Sequence, residues 1–391
     1  MKSFFANDQV LGVLGAGQLG KMLATAAAPW DVNLHMLDPT PEAPACHLCT
    51  KFVVGDFRDK QTVLDFGADC DRITIEIEQV NVEALEELEA DGKIIHPCPR
   101  ALRLIQDKGL QKQFFAEQGL PSSAFQLYEG PEEVLAADVS FPCVQKVRTE
   151  GYDGRGVKIL RSEADLQDLL PGPCLIEDAV DVDTEIAVIA VRNASGQVVS
   201  FDPVEMSFHP EANLVEFLAA PARISEDLAA EAKALAEKTI EAFEVCGLLA
   251  VEMFVNREGK ILINEVAPRP HNSGHHSIEA CASSQYQQHL RAVLDLPLGD
   301  GSLRQPAVMI NILGEAGMSG PVVYEGVEDV LKTPGAHLHL YGKRETRPFR
   351  KMGHLTVCHE DLETAIVRAR ELQRVFKATA EIPPSGEMPS V

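Results

Sequence analysis

Two short apolar runs, Ala-Val-Glu-Met-Phe-Val (250–255) and Lys-Ile-Leu-Ile-Asn-Glu (260–265), are joined by Asn-Arg-Glu-Gly (256–259). Such runs around a glycine-containing turn predict a β-hairpin. A four-residue loop, 257–260, sets Glu252 directly across from Glu265. Like charges facing each other across a ladder destabilise it. A cation between them removes the conflict. A hard divalent ion such as Mg²⁺ takes carboxylate oxygens and leaves its other positions to phosphate. The competing reading turns one glutamate to solvent in a shifted register, and the rest of the chain has to decide between the two.

At 391 residues and 45% hydrophobic content, the chain is long and apolar enough for two or three domains with cores of their own. No apolar run reaches the roughly 18 residues of a membrane helix, and the first residues lack a signal-peptide core. Nine scattered cysteines form no disulfide framework, which fits a reducing, cytoplasmic setting. Cys46-His47-Leu48-Cys49 has the form of half a zinc site, without a second pair at usable spacing. The net charge of −24 argues against general binding to nucleic acid or anionic membrane. It also makes one cluster conspicuous: Lys343, Arg344, Arg347, Arg350 and Lys351 are either an anion site or a solvated face that balances nearby acids.

The first hundred residues alternate strand and helix, with strands at 10–14, 33–37, 53–54, 72–77 and 93–96 and helices at 21–28, 60–66 and 82–90. That order predicts a parallel, doubly wound sheet. A helix over 101–118 follows, then strands at 141–147, 157–160, 174–177, 185–191 and 198–201. An amphipathic helix over 228–243 precedes the hairpin, and another helix near 277–294 follows it. Residues 295–302, rich in Gly and Pro, mark a boundary. The last ninety residues form a smaller α+β unit.

Four motifs carry chemistry. Gly15-x-Gly17-x-x-Gly20 lies between a strand and a helix, and Asp38 ends the next strand. That is a fair dinucleotide fingerprint, although any phosphorylated ligand can use a glycine turn at a helix N-terminus. Gly151-Tyr152-Asp153-Gly154-Arg155-Gly156 joins two strands as a flap able to close over phosphates, or as an ordinary hairpin tip. In 175–185, extended backbone can serve an adenine ring and Glu185 can accept ribose hydroxyls; the plain alternative is an acidic loop. In 264–275, Arg269, His271 and Asn272 can hold a small oxyanion, whereas His271, His275 and His276 can instead be read as a zinc cluster.

Taken in order, these motifs resemble the ATP-grasp superfamily. Within it, residues 15–20, Glu-Ile-Glu (76–78), 151–156, 264–275 and Arg-Lys-Met-Gly-His (350–354) resemble the N5-carboxyaminoimidazole ribonucleotide synthetase family. The resemblance implies α/β and α+β classes in an ATP-grasp architecture. A Rossmann-like substrate domain (1–107) precedes a two-part ATP-grasp domain (108–297) with a mobile lid near 120–180, and a C-terminal domain (298–391) follows. It implies a ligase of purine biosynthesis that uses ATP and bicarbonate, through carboxyphosphate, to carboxylate the exocyclic amine of 5-aminoimidazole ribonucleotide.

The resemblance also implies roles for individual residues. Lys108 and Lys146 face ATP phosphates, with Gly151, Tyr152, Asp153, Gly154, Arg155, Gly156 and Val157 as the flap. Glu177, Asp178, Ala179 and Val180 form the adenine hinge, Glu185 takes the ribose, and His209 is an accessory contact. Glu252 and Glu265 hold one or two Mg²⁺, or Mn²⁺ in substitution, with Asn264 alongside. Gln18, Leu19, Glu76, Tyr152, Arg155, Lys343 and Arg350 bind the ribonucleotide. Asp153, Arg155, Arg269, His271, Asn272 and Lys351 serve bicarbonate and carboxyl transfer, with Asp153 accepting the amine proton. Lys108 departs from the family, where Arg is frequent, so the charge survives without the planar fork. A homodimer is also implied. Alternatives are a formate-dependent glycinamide ribonucleotide transformylase of the same fold, an NAD dehydrogenase built on 15–38, and a nucleotide-binding regulator without turnover.

Overall fold

Five short apolar strands build the first layer: β1 (Val10–Leu14), β2 (Asn33–Asp38), β3 (Lys51–Val54), β4 (Arg72–Ile75) and β5 (Ile94–Ile95). They run parallel in the order β3-β2-β1-β4-β5, the doubly wound arrangement that the alternating pattern predicts. Helices α1 (Gln18–Ala27), α2 (Lys60–Ala68) and α3 (Val82–Ala90) connect them. The strand order reverses beside β1, which opens a crevice at its C-terminal end. The computed structural model describes residues 9–149, 151, 156–208 and 215–381.

The helix expected over 101–118 is two helices, α4 (Pro99–Gln106) and α5 (Lys108–Glu117). Asp107 separates them in extended backbone, and its carboxylate accepts the amides of Gly109 at 2.8 Å and Leu110 at 3.2 Å. Arg148 donates to the same carboxylate from Nε at 3.0 Å and Nη2 at 2.7 Å. Capping overrides the helix propensity on either side and starts a new helix at Lys108.

A small antiparallel sheet follows, with β6 (Phe125–Tyr128), helix α6 (Pro131–Ala136), β7 (Cys143–Val147), β8 (Val157–Leu160) and β9 (Cys174–Asp178). Its order is β6-β9-β7-β8, and its core is Val134, Cys143, Leu160, Cys174 and Ile176. The glycine loop joins β7 to β8, as predicted.

The remaining strands are β10 (Val182–Arg192), β11 (Val198–Ser200), β12 (Val204–Phe208), β13 (Val215–Ala220), β14 (Gly247–Asn256), β15 (Ile261–Ala267), β16 (Ala307–Leu313), β17 (Gly320–Glu325), β18 (Ala336–Leu340), β19 (Glu345–Thr346), β20 (Lys351–Cys358) and β21 (Lys377–Ala380). Helices α7 (Glu226–Ala242), α8 (Ser277–Ala280), α9 (Gln285–Val293), α10 (Val327–Lys332) and α11 (Leu362–Val375) complete the chain. A long sheet runs β15-β14-β10-β12-β13-β16-β20-β18, with β11 beside β10. The C-terminal unit is therefore not walled off, because β16 extends the central sheet through β13. The helix expected near 277–294 is broken as well. Ser284 restarts it at α9 through a reciprocal capping box with Gln287.

Candidate active site

Glu252 and Glu265 are direct cross-strand partners, as the hairpin reading predicts, but the route to that register differs. Val255 pairs with Ile261 and Met253 with Ile263, and Asn256 N–H donates to Lys260 O at 2.9 Å, so the turn itself holds residues 257–259. A β-bulge at Asn264 then restores the register at the glutamates. Ile261, Ile263 and Val266 all enter the core beneath α7, so the bulge leaves both Asn264 and Glu265 on the opposite face. Glu252 reaches that face by pairing with Glu265. Glu185 reaches it by alternation along β10, whose Ala187 pairs with Glu252.

Lysines converge there from other elements. Lys108 forms an ion pair with Glu265. Lys146 Nζ donates to Asn264 Oδ1 at 2.8 Å and lies 3.0 Å from Glu177 Oε2. Glu177 is not offered to a ligand as a free carboxylate. It is buried, with Lys112 Nζ at 3.2 Å and the Ser123 hydroxyl donating at 3.2 Å. Sequence reasoning missed Lys112 and Ser123. The available signal was a second lysine four residues after Lys108, one turn along the same helix face.

Burial opposes the charged form of Glu177, yet Lys146 and then Lys112 outweigh it and hold the carboxyl below its ordinary range. Lys108 holds Glu265 low. Burial, then Glu265 and Glu185, push Glu252 up. Burial raises Glu185 to about 7. Glu252, Glu265 and Asn264 offer the hard oxygen donors that Mg²⁺ prefers, and such an ion would relieve the repulsion that raises Glu252. Among the described residues no group of three or more His, Cys, Asp or Glu is gathered for a metal, so phosphate oxygens would have to complete the coordination.

Burial pulls Lys112 down to about 8. Above that value the folded chain releases a proton that the unfolded chain keeps to about pH 10.4, so stability rises with pH across that window. Denaturation at pH 7.5 and 9.5 should show a gain of about 2 kcal/mol in the parent that Lys112→Met lacks. Equal gains in both proteins would refute this assignment.

The loop after β15 forms a second wall. Arg269 Nε lies 3.1 Å from Glu78 Oε1. Ser273 N–H donates to His271 Nδ1 at 3.3 Å, which assigns the ring proton to Nε2, itself 3.5 Å from Glu252 Oε1. Asn272 does not present its amide to a small ligand. It exchanges two 2.8 Å hydrogen bonds with Asn311 of β16 and is buried. The zinc reading of the histidines fails on direction: His276 Nδ1 meets Ser273 O at 3.1 Å, while His275 packs on His354.

A second bulge aims Lys351. Gly353 pairs with Ile312 and Lys351 with Leu313, which leaves Met352 unpaired. Met352 lies with Leu355 and Val357 in the core against α11, so Lys351 takes the other face, where its charge acts on Glu252 and His275. Nearby, Lys343 Nζ donates to Lys351 O at 2.6 Å, and Arg350 Nη1 donates to Glu345 O at 2.6 Å. Burial and then Arg347 pull the Arg350 guanidinium below its ordinary range, a shift that a bound phosphate would reverse.

On the first domain, Gly17 and Gly20 N–H donate to Glu76 at 2.7 and 2.9 Å, and Ala16 N–H donates to Asp38 at 2.9 Å. A Cβ at Gly15 would lie 2.5 Å from Glu76 Cγ, so this glycine makes room for that side chain. The cradle expected for a dinucleotide is filled from within, which removes the physical basis of the NAD reading. Gln18 is half-buried at the start of α1, whereas Leu19 is a core residue and offers only backbone. Lys21 Nζ donates to Leu340 O at 2.8 Å and ties α1 to the segment that carries Lys343.

Around the flap, Gly151 and Val157 are half-buried, and Gly156 adopts φ +76° with its carbonyl accepting Val147 N–H at 2.8 Å. Tyr152, Asp153, Gly154, Arg155 and His209 lie outside the described residues. In the expected hinge, the Asp178 and Ala179 amides donate to Ala124 O and Pro142 O, while the Val180 amide makes no such bond among the described residues.

Three family models match in order: a ribonucleotide synthetase preATP-grasp domain at 9–106, an ATP-grasp domain at 113–286, and a phosphoribosylaminoimidazole carboxylase C-terminal domain at 307–368. The chain is 38% identical to the N5-carboxyaminoimidazole ribonucleotide synthase of Synechococcus elongatus, over 89% of each protein. It is 35% identical to the phosphoribosylaminoimidazole carboxylase of Ogataea methanolica over 96% of this chain, and it spans 71% of that protein and 64% of the Saccharomyces cerevisiae one. Among solved structures, the N5-carboxyaminoimidazole ribonucleotide synthetase of Thermotoga maritima superposes with a TM-score of 0.88 at 39% identity, covering 95% of this chain and all of that one. The Aspergillus clavatus synthase in complex with ADP and 5-aminoimidazole ribonucleotide superposes with a TM-score of 0.85 at 33% identity, covering 94% of this chain and 99% of that one.

Proposed function

The chain belongs to the N5-carboxyaminoimidazole ribonucleotide synthase family of ATP-grasp ligases, and from that premise we propose that it carboxylates the exocyclic amine of 5-aminoimidazole ribonucleotide with ATP and bicarbonate. One observation carries the reading. The face bearing Glu252, Glu265 and Asn264 meets Lys108 and Lys146 on one side and His271 and Lys351 on the other.

In this reading Glu252, Glu265 and Asn264 hold Mg²⁺, which supplies charge neutralisation at the transferring phosphate. Lys108 and Lys146 bind phosphate oxygens, with Lys146 kept upright by Glu177. The Val180 amide and Glu185 receive the nucleoside, together with His209. Arg269, His271 and Lys351 gather bicarbonate. Its oxygen takes the γ-phosphoryl group, giving carboxyphosphate and ADP. The ribonucleotide amine then attacks the carboxyl carbon, phosphate leaves, and the amine proton passes to Asp153. Lys343 and Arg350 anchor the ribonucleotide phosphate, and closure of 151–157 keeps water from the intermediate.

We further propose the domains 1–107, 108–297 (lid near 120–180) and 298–391, a homodimer, and a cytoplasmic location, for which the free cysteines speak. No described helix is long and apolar enough to cross a membrane. The test is ADP release. It should require both 5-aminoimidazole ribonucleotide and bicarbonate, and it should not respond to formate with glycinamide ribonucleotide. Absence of stimulation by the first pair would overturn the reading.

A further inference from the structure

Three histidines outside the ATP face form a column across the seam between the C-terminal strands and the loop after β15. The rings of His339 and His354 stack with centroids 4.3 Å apart at 10°, and His275 meets His354 at 4.6 Å and 31°. Each ring is pinned at its edge. His339 Nε2 lies 2.6 Å from Glu279 Oε1, and His354 Nδ1 lies 3.1 Å from the Tyr341 hydroxyl. His275 Nδ1 lies 3.1 Å from the Tyr286 hydroxyl and 3.3 Å from Gln285 Nε2. Burial holds His275 and His354 well below the ordinary imidazole range, so both rings are neutral and can stack closely without charge repulsion.

The placement gives the column a purpose. The Met352 bulge puts Lys351 and His354 on one face of β20. His275 follows His271 by four residues in the opposing loop. Asn311, the cross-strand partner of His354, adds the reciprocal amide pair with Asn272 from the same rung of the ladder, on the neighbouring strand. The stack is thus a direct contact that sets how far Lys351 stands from the loop carrying Arg269 and His271.

We propose that His354 is a positioning residue for carboxyl transfer, a neutral stacked spacer that fixes Lys351 against the His271 loop so that the activated carboxyl group meets the amine before water. The role rests on the reaction proposed above. The readout is the ratio of ADP released to ¹³C-bicarbonate incorporated, measured on the full chain for the parent, His354→Leu and His354→Phe. Loss of folded enzyme lowers both quantities equally and leaves the ratio unchanged.

In His354→Leu, carboxylation should fall by up to about a hundredfold, as ångström-scale misplacement of a reacting group does, while ADP release falls less, so the ratio climbs. Phe keeps the stack and should keep the parental ratio. Should the Leu variant fail to fold, His275→Leu reads the same contact from the other side. An unchanged ratio in the Leu variants, or a Phe variant as uncoupled as Leu, overturns the column's role while the parent remains coupled. A parent without bicarbonate-dependent ADP release overturns the reaction itself and this role with it.

Discussion

Replacing Glu265 by Gln is expected to reduce substrate-dependent ADP release by on the order of 10³-fold, the scale of losing one preorganised electrostatic group at a reacting centre. The cause is specific to this position. Glu265 is the carboxylate that Lys108 keeps ionised, while burial and its neighbours push Glu252 toward its neutral form. Gln has the same shape and leaves the bulge, the ladder and the core beneath α7 untouched, so the thermal midpoint should stay within a few degrees of the parent. Mn²⁺ binding in the presence of ATP, followed by paramagnetic resonance, should weaken in parallel with activity. A fully active Glu265→Gln enzyme would remove the metal assignment and leave the hairpin as a structural element.

That hairpin also marks how far the sequence could be read. Two apolar runs and a glycine turn are local signals, so the strands and the facing glutamates were legible. The register came out right although the path was wrong: the turn is one residue shorter than expected, and the bulge at Asn264 compensates. Bulges leave no composition signal, and both of those described here re-aim a site residue, Asn264 with Glu265 in one strand and Lys351 in the other. The break at Asp107 was legible in principle, because Asp before Lys-Gly is a cap, but uniform helix propensity on both sides hid it. Contacts between distant segments left no trace. Nothing in the chain announces that Ser123 and Glu177, 54 residues apart, will share a hydrogen bond, or that Asn272 will close on Asn311. The doubly wound domain was visible because its period is local, whereas the occupation of its glycine turn by Glu76 was not.

The buried triad behind the phosphate face should be the most sensitive structural point in the ATP-binding half. Glu177→Leu leaves Lys112 and Lys146 as two ammonium groups without their shared carboxylate, and both lie almost wholly out of water. Breaking a buried pair from one side costs about 3–5 kcal/mol, which urea denaturation followed by fluorescence or circular dichroism would register. Adding Lys112→Met removes one of the stranded charges and should restore a large part of that loss, because the two sites are in contact and their effects are not additive. Activity should not return with stability. Lys146 also donates to Asn264, and without Glu177 to hold it, the ammonium loses the anchor that aims it at the bulge. Stability and turnover therefore part company in the double variant. A Glu177→Leu protein within 1 kcal/mol of the parent would mean that water reaches the lysines and screens them, and a fully active double variant would mean that Asn264 alone suffices to place Lys146.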